Sequence, residues 1–93
     1  MIERSADHLR VTVPMVMANA NGLLAAGRTL FAEPIERIDL ADVAEADSSS
    51  LAVMIAWLRM AREGGRQLAF LNLPSGVRAL AALYGVDEIL PLA

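Results

Sequence analysis

Hydrophobic positions along the chain switch between two periods. Residues 8–13 alternate, with Leu9, Val11 and Val13 apolar and Arg10 and Thr12 polar, the two-residue period of a strand with one buried face. Pro14 bends or ends that strand, and Met15-Val16-Met17 reads as a second short strand. Leu23, Leu24, Gly27, Leu30 and Phe31 then recur at helical spacing, behind Asn19 and Asn21 as candidate N-caps. This helix stops before Pro34. Ile38 and Leu40 alternate around Asp39 and predict a short strand leading to Val43. A long apolar helix starts at Ser48-Ser49-Ser50 and ends at Gly64-Gly65. Residues 67–73 read as a buried strand containing Phe70. Pro74-Ser75-Gly76 breaks it, and Ser75 is placed to cap the next helix. Val77, Leu80, Ala81 and Tyr84 line the inner face of that helix and Gly85 ends it. Residues 86–90 read as a last helical turn or edge segment before Pro91.

The predicted order is strand, strand, helix, strand, helix, strand, helix. A strand–helix–strand unit over residues 38–73 is a right-handed crossover with parallel strands. The fold class that follows is α/β, one small mixed β-sheet with helices packed mainly on one face. At 93 residues the chain is expected to form a single domain spanning residues 1–93.

Composition narrows the chemistry. Eleven acidic against eight basic side chains give a formal charge of −3, which argues against a nucleic-acid binder. The chain has no cysteine, so disulfides, thiol catalysis and thiolate metal sites are excluded. Every basic residue is Arg and none is Lys, which removes Schiff-base chemistry. The one histidine, His8, leaves little for a metal site or a relay of bases and reads as a surface residue beside the first strand. No membrane span is expected, because the longest clean apolar run is residues 51–58 and a spanning helix needs about 18. Residues 11–17 followed by Ala18-Asn19-Ala20 resemble a signal peptide. However, Glu3 and Asp7 cancel Arg4 and Arg10, and Pro14 interrupts the apolar stretch, so the address expected is cytoplasmic. No phosphate loop and no nucleophile–base pair is present, and Gly64-Gly65 follows a helix instead of opening one. A protein that is not an enzyme, with no cofactor and no metal, is the expectation.

Three features bear on function. Asp39, Asp42, Glu45 and Asp47 lie close in sequence; they read as a solvated loop that places negative charge before a helix, or as oxygen ligands for a cation. Asp47-Ser48-Ser49-Ser50 carries more hydroxyls than one helix cap requires. It follows a strand's carboxyl end, a favoured binding position in an open α/β sheet. Both capping and binding remain open for it, with Ser48 expected at the N-cap or first turn and its hydroxyl near free helix N–H groups. The helix that follows has one apolar stripe of Leu51, Met54, Ile55, Leu58 and Ala61 and a second of Val53, Trp57 and Met60. The second stripe either packs on a neighbouring helix or forms a partner-binding face anchored by Trp57. On the latter reading, Trp57→Ala weakens binding and leaves the fold intact.

The run Ile38-Asp39-Leu40, a short loop, then Asp47-Ser48-Ser49-Ser50-Leu51-Ala52 resembles the signature of STAS domains, found in anti-sigma factor antagonists and sulfate transporters. Gly64-Gly65, the strand with Phe70, and Pro74 before a helix ending Leu83-Tyr84-Gly85-Val86 fit the same pattern. The resemblance is most secure over residues 35–90. Its partner-switching branch implies phosphorylation of Ser48 by an anti-sigma factor kinase, although Ser50 stands where that branch usually has Gly. Ser50-Leu51-Ala52, Trp57-Leu58-Arg59 and Leu83-Tyr84-Gly85 are more similar to the MlaB-like branch. Those are small STAS subunits of ABC transporters that move phospholipids and maintain outer-membrane lipid asymmetry. That likeness implies an ABC transporter ATPase subunit (MlaF-like) as partner and a position peripheral to the inner membrane through the complex. The residues implied in partner binding are Asp47, Ser48, Ser49, Ser50, Val53, Trp57 and Met60.

Overall fold

A computed structural model describes residues 1–5, 8–31 and 36–92 of the chain. In chain order the elements are β1 (Ile2–Ser5), β2 (His8–Val11), α1 (Met17–Leu30), β3 (Arg37–Asp39), α2 (Ser49–Glu63), β4 (Ala69–Leu71), α3 (Ser75–Leu83) and a 3-10 turn (Asp87–Ile89). The sheet order is β1-β2-β3-β4. β1 and β2 are an antiparallel pair with Ile2 opposite Val11 and Arg4 opposite Leu9. β2–β3 and β3–β4 are parallel, with Leu9 beside Ile38 and Ile38 beside Phe70. This is the small mixed α/β sheet the sequence predicts. Successive right-handed crossovers that step in one direction across a sheet place their helices on the same face.

Alternation along the strands decides which face that is. Leu9, Val11, Ile38 and Phe70 are buried, while His8, Arg10 and Asp39 between them stay partly exposed. The apolar side carries the helices. The other side is polar, with Arg10 pairing Glu3 at 3.1 Å and Asp42 at 3.2 Å.

Two helix ends show why glycine was informative. Past α2, the Gly65 N–H bonds the Arg62 carbonyl at 3.0 Å and the Arg66 N–H bonds that of Ala61 at 2.8 Å, with Gly65 at φ +72°. Past α3, Gly85 bonds Ala82 at 3.1 Å and Val86 bonds Ala81 at 2.9 Å, with Gly85 at φ +71°. Both are paired closures of orphan helix carbonyls, and both need a left-handed residue that glycine supplies without strain.

Several expected boundaries move. The two leading strands are residues 2–5 and 8–11 rather than 8–13 and 15–17; Met15 makes a single parallel bridge with Ala46. α1 begins at Met17 with Val16 at the N-cap position, whose own side chain makes no capping bond. Asn19 is already inside the helix, where its side chain donates to the Pro14 carbonyl at 2.8 Å. The strand expected over 67–73 shortens to Ala69–Leu71. Ser75 is the first residue of α3 and not its cap. Tyr84 is 58% exposed, off the inner face, whereas Val77 and Ala81 are buried. The stop at Pro34 lies outside the described residues; α1 closes with the Phe31 N–H on the Gly27 carbonyl at 2.9 Å.

Candidate functional site

The loop from β3 to α2 is tied down at the carboxyl ends of the central strands. The Met15 N–H donates to the Glu45 carbonyl at 2.9 Å, and the Asp47 N–H donates to the Met15 carbonyl at 3.2 Å. These bonds hold Asp47 between the starts of two helices. One of its carboxylate oxygens, Oδ2, accepts the Met17 N–H at 3.0 Å, at the first residue of α1. The other, Oδ1, accepts the Ser49 N–H at 2.8 Å and also the Ser49 hydroxyl. One carboxylate therefore caps α1 and α2 together and fixes their N-termini side by side.

The three serines have three different fates. Ser48 occupies the N-cap position of α2, as expected, but makes no capping bond; its side chain is exposed. Asp47 does the capping the sequence assigned to Ser48. Ser49 is half-buried and engaged by Asp47. Ser50 is fully buried, and its Oγ has no hydrogen-bond partner among the described residues.

Asp47, Ser48 and Ser49 thus form one tip, and the remaining expected contact residues leave it. Val53 and Trp57 are 1% and 0% exposed. The Trp57 indole N–H donates to the Leu23 carbonyl of α1 at 3.2 Å, and its ring meets Phe31 edge-on with centroids 6.4 Å apart. The partner-binding assignments of Ser50, Val53 and Trp57 are corrected accordingly: these side chains offer no surface to a second protein. The reason is architectural. α2 packs against both α1 and α3 and shares one buried core with the strands, so it needs two apolar faces. Met60 is half-buried against the core, roughly 18 Å along the helix axis from Ser48, outside the tip.

The loop carboxylates are directed apart. The Asp39 Oδ1 accepts the Ala41 N–H at 2.9 Å and the Asn72 side-chain amide at 3.0 Å, while Asp42 meets Arg10. Burial pushes the Asp39 pKa up, but the bonds from Asn72 and Ala41 and the charges of His8 and Arg10 outweigh it and hold the pKa below its ordinary 3.8. The Ser49 hydroxyl, followed by the Met17 and Ser49 N–H groups, lowers that of Asp47 below the same value. Among the described residues no group of three or more His, Asp or Glu is placed to hold a metal ion, and no helix is long and apolar enough to cross a membrane.

A depressed carboxylate pKa has a fixed sign in stability. The ionised Asp47 stabilises the fold above its unfolded-state pKa, and that contribution disappears as the pH falls through the lower folded-state value. Asp47→Ala should therefore lower the melting temperature at pH 7 by about 4–8 °C, the size of one lost helix cap in a domain of this length. Melting curves taken between pH 7 and pH 2 should show the gap between parent and variant closing only on the acid side of 3.8. A gap that persists unchanged to pH 2 means that the charge on Asp47 is not what joins the helices.

A sequence-family model described as the Mlab STAS domain matches residues 2–91. The chain is a STAS-type α/β domain by its order of elements and by the helix that opens at the Asp-Ser tip. It belongs to the STAS domain family. Among solved structures it is similar to a candidate anti-sigma factor antagonist from Thermotoga maritima, with 20% identity and a TM-score of 0.72 over 99% of this chain and 83% of that one. It is also similar to an anti-sigma-factor antagonist (STAS) domain protein from Planctomyces limnophilus, with 16% identity and a TM-score of 0.72 over 99% and 86%. Comparison with curated protein sequences finds no match.

The tip has one residue that the sequence reading missed. Met17 is 72% exposed at the start of α1, beside Asp47. A strand over Met15-Val16-Met17, as the sequence reads, would put Met15 and Met17 on the same face. The chain instead enters α1 at Met17, so the two-residue period ends there, with Met15 buried and Met17 exposed.

Proposed function

We propose that this chain is a non-enzymatic STAS subunit that docks on the ATPase subunit of an ABC phospholipid transporter and regulates it. In this reading the complex maintains outer-membrane lipid asymmetry, and the protein sits at the inner membrane through its partner. The observation that carries docking at this position is the exposed Ser48, raised on a tip whose geometry Asp47 holds by bonding both helices. The Mlab description of the matching family model favours the transporter branch.

A second reading has its own support. The similar structures are described as anti-sigma factor antagonists, and Ser48 presents an exposed hydroxyl directly after the Asp. In that reading a serine kinase phosphorylates Ser48 and the partner is that anti-sigma factor.

Charge at Ser48 tests the docking surface in either case. Ser48→Asp adds a negative charge at a helix N-terminus, where the fold tolerates it, and next to Asp47, where a partner packed on the tip does not. We expect co-purification with the ATPase subunit to weaken at least ten-fold while the melting temperature stays that of the parent. Ser48→Ala removes no capping bond, since Ser48 makes none; its stability should stay within about 0.5 kcal/mol of the parent, and docking should persist. Equal binding of Ser48→Asp and the parent would place the interface elsewhere.

A further inference from the structure

We propose that a groove at the end of the sheet opposite the Ser48 tip binds a single-chain anionic amphiphile, a phosphate or carboxylate head on an alkyl tail. The site is separate from the docking surface and stands whichever partner that surface takes.

Chain direction puts the groove there. Arg37 and Ala69 are the first residues of β3 and β4 and are neighbours in register. Arg62 stands in the last turn of α2, where the helix carboxyl end favours a cation. The turn at Gly65 then brings the chain to Arg66, whose guanidinium donates to the Phe31 carbonyl at the end of α1. The groove that these elements border has a volume of about 920 Å³, within the range of about 300–1,000 Å³ usual for small-molecule clefts.

The lining sets the ligand's chemistry. Its charged members among the described residues are Arg37, Arg62 and Arg66 against Glu36, a local positive excess in a chain of net charge −3. Glu63 and Glu88 adjoin lining residues in the chain but do not line the groove themselves. Arg62 is exposed, with no side-chain partner among the described residues. A guanidinium suits a phosphate or carboxylate head, which it can grip with two parallel bonds. Leu58, Leu68, Ala69, Ile89 and Pro91 supply apolar wall. The two kinds of wall are segregated. Arg37 lies on the β3 side of Ala69 and Arg66 reaches α1. On the other side of β4, the Pro91 carbonyl accepts the Phe70 N–H at 2.8 Å and Leu92 bridges to Phe70. A head at the arginines therefore sends its tail across Leu68 and Ala69 toward Ile89 and Pro91. Other ligands fit less well. An inorganic anion leaves the apolar wall unused. A nucleotide base finds no aromatic ring to stack on among the described lining residues. A protein partner engages about 20–30 residues a side, whereas 11 described residues line this groove.

Nuclear magnetic resonance titration of the isotope-labelled full chain tests the site. The probes are myristate and, separately, myristoyl lysophosphatidic acid, each kept below its micelle concentration. At least one should give saturable shifts at Arg62, Arg66, Leu68 and Ile89 and none at Asp47 or Ser48, and the tighter of the two identifies the head. Inorganic phosphate and the zwitterionic myristoyl lysophosphatidylcholine should each bind at least ten-fold more weakly. Arg62→Gln and Ile89→Ser, both at exposed positions, should each weaken binding at least five-fold at an unchanged melting temperature; if Ile89→Ser melts early, Arg62→Gln decides alone. Absence of saturable shifts with both probes overturns the proposal, as does parent-like binding by a folded variant. Equal affinity for the zwitterionic lipid means that the arginines do not read the head, and equal affinity for phosphate means that the groove holds no tail; either result overturns it. A response to anionic vesicles alone marks a membrane-facing surface, and an acidic peptide that binds these residues more tightly than the amphiphile marks a protein-docking site; each also overturns it. The docking reading at Ser48 survives all of these outcomes.

Discussion

Trp57→Ala is expected to destabilise the domain severely, not to impair binding selectively. The indole is fully buried, its N–H satisfied by the Leu23 carbonyl at 3.2 Å and its ring set edge-on against Phe31 at an interplanar angle of 67°. Removing it leaves a cavity between α1 and α2 and takes away the largest fully buried side chain. Truncations of this kind cost about 3–5 kcal/mol. A domain of this size has only about 5–15 kcal/mol of total stability. The variant should therefore melt far below the parent, with its urea midpoint falling by a third or more, as followed by far-ultraviolet circular dichroism. A variant that melts within two or three degrees of the parent would put the ring outside the core and return it to the list of interface residues.

That outcome follows from the first of the two readings the helix pattern permits, packing on a neighbouring helix, and the reason the pattern could not choose is general. A second apolar stripe records that something covers the helix; it carries no label for what does. α2 is the middle member of the helical layer, and its second stripe belongs to α1, whose own inward residues Leu23, Gly27 and Phe31 are spaced to receive it. The same limit hid β1. Ile2 is its one apolar residue, and no period can be read from Ile2–Ser5; the strand exists because β2 offers partners across the hairpin, including Arg10 for Glu3.

Legible features were those decided by local chemistry. Leu9 and Val11 alternate because one face of the sheet is covered, Gly65 and Gly85 sit where φ must be positive, and Ile38 leads into the Asp-Ser tip. At the tip itself the elements and the place of Ser48 at the start of α2 were readable, while the division of labour was not. Four consecutive residues, Asp47 to Ser50, can each cap a helix. Which one does so depends on the Met15–Ala46 bridge and on the N-terminus of α1, both contributed by residues some 30 positions away.

Gly27→Ala should destabilise the domain even though Gly27 lies inside a helix. In an exposed helix interior the change normally gains about 0.8–1.0 kcal/mol. Here an added Cβ would stand 2.4 Å from Trp57 Nε1, 2.6 Å from its Cδ1 and 3.3 Å from Phe31 Cε2. The indole is rigid and buried on all sides, so α1 must move outward or the ring must leave its hydrogen bond to Leu23. Overpacking of this type costs about 1–3 kcal/mol; against a rigid ring the upper part of that range applies, and after the helix-propensity gain a net loss of up to about 2 kcal/mol remains. The sign should invert when the obstacle is smaller: in a Trp57→Leu background, Gly27→Ala keeps its propensity gain, fills part of the vacated space and raises stability. A double-mutant cycle from urea denaturation should then return a coupling of about 1–3 kcal/mol between positions 27 and 57. Additive effects, or a Gly27→Ala variant more stable than the parent, would mean that α1 and α2 are not held in contact through this glycine and this ring.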